Sequence, residues 1–181
     1  MPVVEYTLGQ HGSQLWGRAK GVAVREQIET ALADLNDGEV LGLDMCDIEV
    51  MDFSFASEVI GKLLFRIPVE YPDRYLVLMN PSNYVMENLN AALEGMKLAA
   101  LVVRNSSWEI IGKFGEVDIE TLRQVFQAQS TTASEMARQI GISITAMNNR
   151  LRKLVDLGLV RRDRILSPSG GEQYQYTWLV Q

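Results

Sequence analysis

This sequence has almost none of the residues from which metal and nucleophilic sites are built. Cys46 is its one cysteine and His11 its one histidine. A lone cysteine forms no internal disulfide, and one of each cannot supply a Cys/His zinc site within a chain. A Ser-His-Asp triad would have to use His11, and the glycine-flanked stretch Gln10-His11-Gly12-Ser13 announces no such geometry. Cys46 falls at the end of an apolar strand pattern and reads as a small buried hydrophobe. Long apolar runs are missing too. Stretches such as Leu98 to Val103 fall far short of the ~20 apolar residues of a membrane span. The opening residues Met1-Pro2-Val3-Val4-Glu5 carry neither a basic region nor an apolar core. No secretory signal is read there, so a cytoplasmic location without a membrane partner is expected.

What is present is globular. The 181 residues are 47% hydrophobic and 22% charged, room for one large domain or two small ones. The net charge of −6 argues against a generic nucleic-acid sponge, but its distribution is uneven. Residues 1–115 carry 9 Lys/Arg against 16 Asp/Glu, and residues 116–181 carry 8 against 7. Within the second part, Arg138 to Arg164 holds seven basic residues and only Asp156 and Asp163, a local charge of +5. An acidic front and a locally basic back imply two jobs.

The first hundred residues alternate strand and helix patterns. Val3 to Leu8, Val40 to Cys46, Tyr75 to Met79 and Leu98 to Val103 read as strands. Val22 to Leu35 and Phe55 to Ile67 have apolar residues at helical spacing, the second broken by Pro68 and Pro72. Asn80-Pro81-Ser82-Asn83 caps a further helix that Gly95 ends. That alternation predicts an α/β layer fold with a mixed sheet over residues 1–105. A polar break at Arg104-Asn105-Ser106-Ser107 opens a linker placed at 106–116, with Trp108 to Phe114 either a short strand or anchors within it.

From residue 117 the pattern changes. Ile119, Leu122, Val125 and Phe126 repeat helically; Thr132-Ala133-Ser134-Glu135 is a capping box. Met136, Ala137 and Ile140 share one side of a short helix. Gly141-Ile142-Ser143 is a tight turn in which Ser143 caps the next helix, which buries Met147, Leu151 and Leu154. Leu159 to Leu166 and Gln173 to Val180 make a two-stranded ribbon, its aromatics at Tyr174, Tyr176 and Trp178 assigned to the core. Three helices and a ribbon is the order of a winged helix-turn-helix, and residues 117–181 resemble that family. The resemblance rests on Ser134-Glu135-Met136-Ala137-Arg138-Gln139-Ile140-Gly141-Ile142-Ser143, on Leu151-Arg152-Lys153-Leu154 and on Gly158-Leu159-Val160. With Met147, Leu151 and Leu154 inward, Thr145, Ala146, Asn148, Asn149 and Arg152 face outward, a set suited to base edges of double-stranded DNA. Arg150 and Lys153 are placed for phosphates. Arg161, Arg162, Arg164, Ser167 and Ser169 of the wing are placed for the backbone or the minor groove.

In the front part, a strand ending in Asp44 is followed by a short loop and by Ser54-Phe55-Ala56-Ser57-Glu58 opening an apolar helix. With Gly17-Arg18-Ala19-Lys20-Gly21 and Arg25-Glu26, these residues resemble the STAS superfamily, closest to its bacterial STAS-like branch of unknown function. That resemblance implies a switchable interaction domain rather than an enzyme, with Ser54 at the position that accepts phosphate from a partner kinase in antagonist members. A helix start suits a phosphate. Phe53 and Phe55 in place of small residues, and the acidic neighbours Glu49, Asp52 and Glu58, depart from that pattern. Capping alone accounts for a serine at position 54, and Ser57 is a second candidate.

The expected function is a bacterial-type transcriptional regulator whose winged helix binds DNA and whose STAS-like part senses, docks a protein or dimerises. The alternative is a partner-switching signalling protein, bound by a kinase or anti-sigma-like partner, phosphorylated at Ser54 and docking protein through the winged helix. No spaced acid/base pair, phosphate loop or metal set is present, so no catalytic residue, metal or cofactor is assigned and an enzyme is not expected. Asp44, Asp47, Glu49 and Asp52 read as a solvated acidic loop. Half-site geometry leads to the expectation of a homodimer.

Overall fold

Short apolar segments separated by helical ones build the first unit in chain order. These are β1 (Val3–Thr7), β2 (Gln14–Leu15), α1 (Arg18–Ala33), β3 (Val40–Asp44), β4 (Val50–Met51) and α2 (Phe53–Ala56). A π-helical turn (Ser57–Gly61) leads into α3 (Lys62–Glu70), then β5 (Tyr75–Met79), α4 (Asn83–Met96), β6 (Ala99–Arg104) and β7 (Ser107–Gly112). The structure, a computed structural model, describes residues 3–105, 107–167 and 170–180. It divides between Phe114 and Gly115 into two units. The first holds a five-stranded mixed sheet of order β1-β3-β5-β6-β7, parallel except for the antiparallel β7, plus a small parallel β2-β4 pair. Parallel neighbours need long crossovers, which the helices supply. Every residue of β3 is buried, as in a strand covered on both faces. Phe55, Ile60 and Leu63 are fully buried with Leu41, Leu43 and Leu78, each side chain contributing about 2 kcal/mol of burial.

Several expectations are corrected here. Of the two readings of Trp108 to Phe114 the short strand holds, so residues 107–112 are not linker: β7 pairs with β6 along its whole length, from Ala99–Gly112 to Arg104–Ser107. Its inner half, Ile110 to Gly112, is buried, which is what holds it in the sheet. Pro68 lies within α3 instead of breaking it, and the helix runs to Glu70. Gly95 lies inside α4, which ends on Lys97 in the left-handed region at φ 58°. Cys46 is exposed, because β3 stops at Asp44 and the chain turns out of the core.

The second unit consists of α5 (Glu116–Ala128), β8 (Ser130–Thr132), α6 (Ala133–Ile140), α7 (Ile144–Asp156), β9 (Arg161–Leu166) and β10 (Glu172–Thr177). Its sheet has three strands, order β8-β10-β9, all antiparallel. β8 is the strand that the two-stranded ribbon of the sequence reading lacks. Three helices with a wing hairpin make this a helix-turn-helix unit of winged form. Its local signals are those of the sequence. Thr132 and Glu135 form the capping box, Gly141 takes φ 74°, and the Ser143 hydroxyl accepts the Ala146 N–H at 3.1 Å. Met147, Leu151 and Leu154 are wholly buried and seat α7 on the unit.

Candidate nucleic-acid interface

The outward face of α7 follows from its inward one. Thr145, Asn149 and Arg152 are exposed at spacings of four and three, and Asn148 and Ala146 flank them half-buried. Ser143 satisfies the first turn, so the helix presents its start with polar side chains and no acidic residue. Asp156, on the same face, is at the far end of the helix. One apolar side chain that the sequence reading did not assign joins this end: Ile144 is 52% exposed.

The two cations set aside for phosphates part ways. Arg150 is half-buried on the flank of α7. Lys153 is held by Asp118 of α5, Nζ to Oδ2 at 2.5 Å. Asp118 is buried, and the same oxygen accepts the Gly115 N–H at 2.7 Å. Lys153 thus ties α7 to the start of α5. That partner lies 35 residues away in the chain, which no local pattern reveals.

On the wing the arginines separate by strand face. Arg162 and Arg164 sit opposite Tyr176 and Tyr174 in the β9–β10 register. The Arg162 guanidinium lies 4.7 Å from the Tyr174 ring centre and that of Arg164 lies 6.0 Å away. Such stacking fixes a guanidinium without neutralising it. Tyr174 is therefore not the core residue expected, whereas Tyr176 and Trp178 are buried. Burial pushes the Tyr176 hydroxyl above its ordinary pKa, against the charges of Arg162 and, more weakly, Arg152. Arg161 alternates to the other face, where Asp163 holds it at 2.7 and 2.8 Å. Arg164 reaches Glu172 only at 3.9 Å, with both side chains exposed. Such a surface pair contributes little. The Ser167 hydroxyl accepts the Gly171 N–H and closes the hairpin loop. Ser169 lies outside the described residues. Among the described residues, Arg150, Arg152 and Arg162 form no ion pair. A cleft of about 240 Å³ separates the start of α7 from the wing, walled by Ser134, Ile144, Asn148 and Tyr174.

The first unit corrects the reading of Ser54. The cap of α2 is Asp52, whose carboxylate accepts the Phe55 N–H at 2.7 Å and the Gly17 N–H at 3.1 Å. Ser54 is the second residue of that helix and is half-buried, so it caps nothing. The donors a phosphate would use there already meet a carboxylate. Cys46 donates its thiol hydrogen to Asp44 at 3.0 Å, and this bond, with burial and the nearby carboxylates, pushes its pKa up to about 11. Among the described residues no helix is long and apolar enough to cross a membrane, and no group of three or more His, Cys, Asp or Glu is placed to hold a metal ion.

Compared with known families, residues 122–163 match the helix-turn-helix domain family, from within α5 to the start of the wing. No curated protein matches the chain. The matched stretch contains the whole of α6 and α7, so the second unit is a helix-turn-helix domain, of the class that binds DNA.

Proposed function

We propose that this chain is a transcriptional regulator of bacterial type that binds double-stranded DNA through its second unit. In this reading α7 enters the major groove with Thr145, Asn148, Asn149 and Arg152 at base edges and Ala146 against a thymine methyl. Arg150 and the wing arginines Arg162 and Arg164 take phosphates or the minor groove, while Lys153 and Arg161 hold the fold. The observation that carries the proposal is the pairing pattern. Arg152 on the outward face of α7 and Arg162, stacked on Tyr174 of the wing, form no ion pair among the described residues, while Asp118 holds Lys153 and Asp163 holds Arg161.

The first unit, STAS-like by its sequence, is assigned the sensing role, without catalysis of its own, in a cytoplasmic homodimer. Dimerisation supplies the second half-site that a unit with so few unpaired cations needs. A DNA site selected from a random pool tests the reading. Asn149→Ala with Arg152→Ala should abolish the preference of the protein for that site over random duplex. Undiminished selectivity in this variant overturns the assignment of α7 as the reading helix.

A further inference from the structure

Outside the DNA face, the largest unexplained investment of charge is in the first unit. Glu58 is 1% exposed in the π-helical turn. Three cations converge on it: Lys62 Nζ at 2.7 Å, Arg25 Nε at 3.5 Å and Arg18 Nε at 3.7 Å. Arg25 also holds Glu29 at 2.6 Å, Glu29 holds Arg66, and Arg66 holds Glu70. Four cations therefore meet three carboxylates. The surplus charge is at the open end of the network, where the Arg18 and Lys62 side chains are 75% and 48% exposed. Burial pushes the Glu58 carboxyl up, but the bond and charge of Lys62, then the charge of Arg25, hold it below the usual range, so it stays ionised. A buried network of this kind adds little stability over well-packed apolar residues. Its evident effect is to hold one ammonium and one guanidinium head, those of Lys62 and Arg18, at one place on the surface.

That place is the mouth of a cavity of about 330 Å³, lined by Arg18, Lys62 and Glu58 and by the apolar side chains of Phe53, Ala92 and Met96. Its volume is within the range of small-molecule sites. Phe53 is 50% and Met96 37% exposed, so an apolar wall stands open directly beside the cations. Two backbone features shape the cavity. Gly21 of α1 lies so close to Glu58 that an added Cβ would stand 3.0 Å from the Glu58 side chain. Gly61, the last residue of the π-helical turn, is covered by the Met96 sulfur, and any side chain there would displace it. Such turns are rare in helices and concentrate at functional sites.

We propose that this cavity binds a small apolar anion, with its acid group between Arg18 and Lys62 and its hydrocarbon body against Phe53, Ala92 and Met96. Glu58 acts as the positioning residue that holds both cations. The proposal rests on the sensing role assigned to the first unit and supplies the chemistry sensed. It is tested without DNA, on the full chain, with octanoate and 4-phenylbutyrate as probes and octan-1-ol as the uncharged control. Titration calorimetry should show saturable one-to-one binding of the anions, with octan-1-ol about tenfold weaker, the worth of one charge-assisted contact. Amide chemical shifts should move at Arg18, Phe53, Lys62 and Met96. Arg18→Gln with Lys62→Gln should erase the preference for the acids, while Arg152→Ala leaves it intact. Should the double variant melt early, Phe53→Ala, at an exposed position, should weaken acids and alcohol alike. Absence of saturation by either acid, equal binding of the alcohol, or shifts confined to other residues would overturn the proposal. A chain that binds the acids and no DNA keeps this site and removes the DNA reading instead.

Discussion

The two units use the same device to opposite ends. Each buries a carboxylate and pairs it with a half-exposed lysine: Glu58 with Lys62 in the first unit, Asp118 with Lys153 in the second. In the first, the buried acid draws Arg18 and Arg25 to it as well and leaves a cationic rim at a cavity. In the second, the buried acid takes up the charge of Lys153, and Asp163 does the same to Arg161. The unit of net charge −7 thus offers an anion site, and much of the cation count in the other is structural. Net charge does not locate a binding surface; the pairing of individual cations does.

The comparison breaks most visibly if the buried acids are removed. Glu58→Gln should cost about 3 kcal/mol by denaturant unfolding, because it removes a buried charge on which three cations converge, Arg25 among them already desolvated. Asp118→Asn, which releases an exposed lysine and one helix-start bond, should cost about 1 kcal/mol. The Glu58 carboxyl has a lower pKa folded than unfolded, so its contribution is present above the usual Glu value of 4.5 and is lost as pH falls through the folded one. Acid titration of stability should therefore be shallower in Glu58→Gln than in the wild type. An equal cost for both substitutions would erase the contrast between the two units.

At the DNA face the contrast sharpens. Arg162→Ala should reduce the slope of log affinity against log salt by about one, while Arg161→Ala leaves it unchanged. Loss of Asn149 or Arg152 alone should cost about 1–3 kcal/mol against the selected site and little against random duplex. The smallest effect is at Cys46. Although exposed, its thiol should alkylate slowly at pH 8, because its pKa lies at about 11. Asp44→Asn should speed that reaction, as read by mass spectrometry.

What was legible in the sequence was what neighbours decide. The Met147-Leu151-Leu154 spacing, the Thr132–Glu135 capping box, the Ser143 cap and the Gly141 turn all stand as read. The strands β3, β5 and β6 were legible from apolar runs, because sheet interiors exclude polar residues. What distant partners decide was not legible. Trp108 to Phe114 reads equally as a short strand or as linker anchors, since only the second half of β7 is buried and its hydrogen bonds come from β6. Asp52 displaces Ser54 as the cap because it also reaches Gly17, 35 residues earlier. Tyr174 alternates with core aromatics and looks like one, yet the edge of the wing leaves it under Arg162. The cavity behind Glu58 needs four helices and a π-helical turn to exist, and no local spacing announces it.

The central claim is that the second unit holds DNA through the few cations left unpaired. Fluorescence anisotropy of the full chain with pooled random duplex of about 30 base pairs, long enough for about two half-sites, tests it most directly. Run at low and at near-physiological salt, it should show saturable binding that weakens steeply with salt, and the slope should shrink in Arg162→Ala but not in Arg161→Ala. No binding at low salt, or equal slopes in the two variants, would contradict the account.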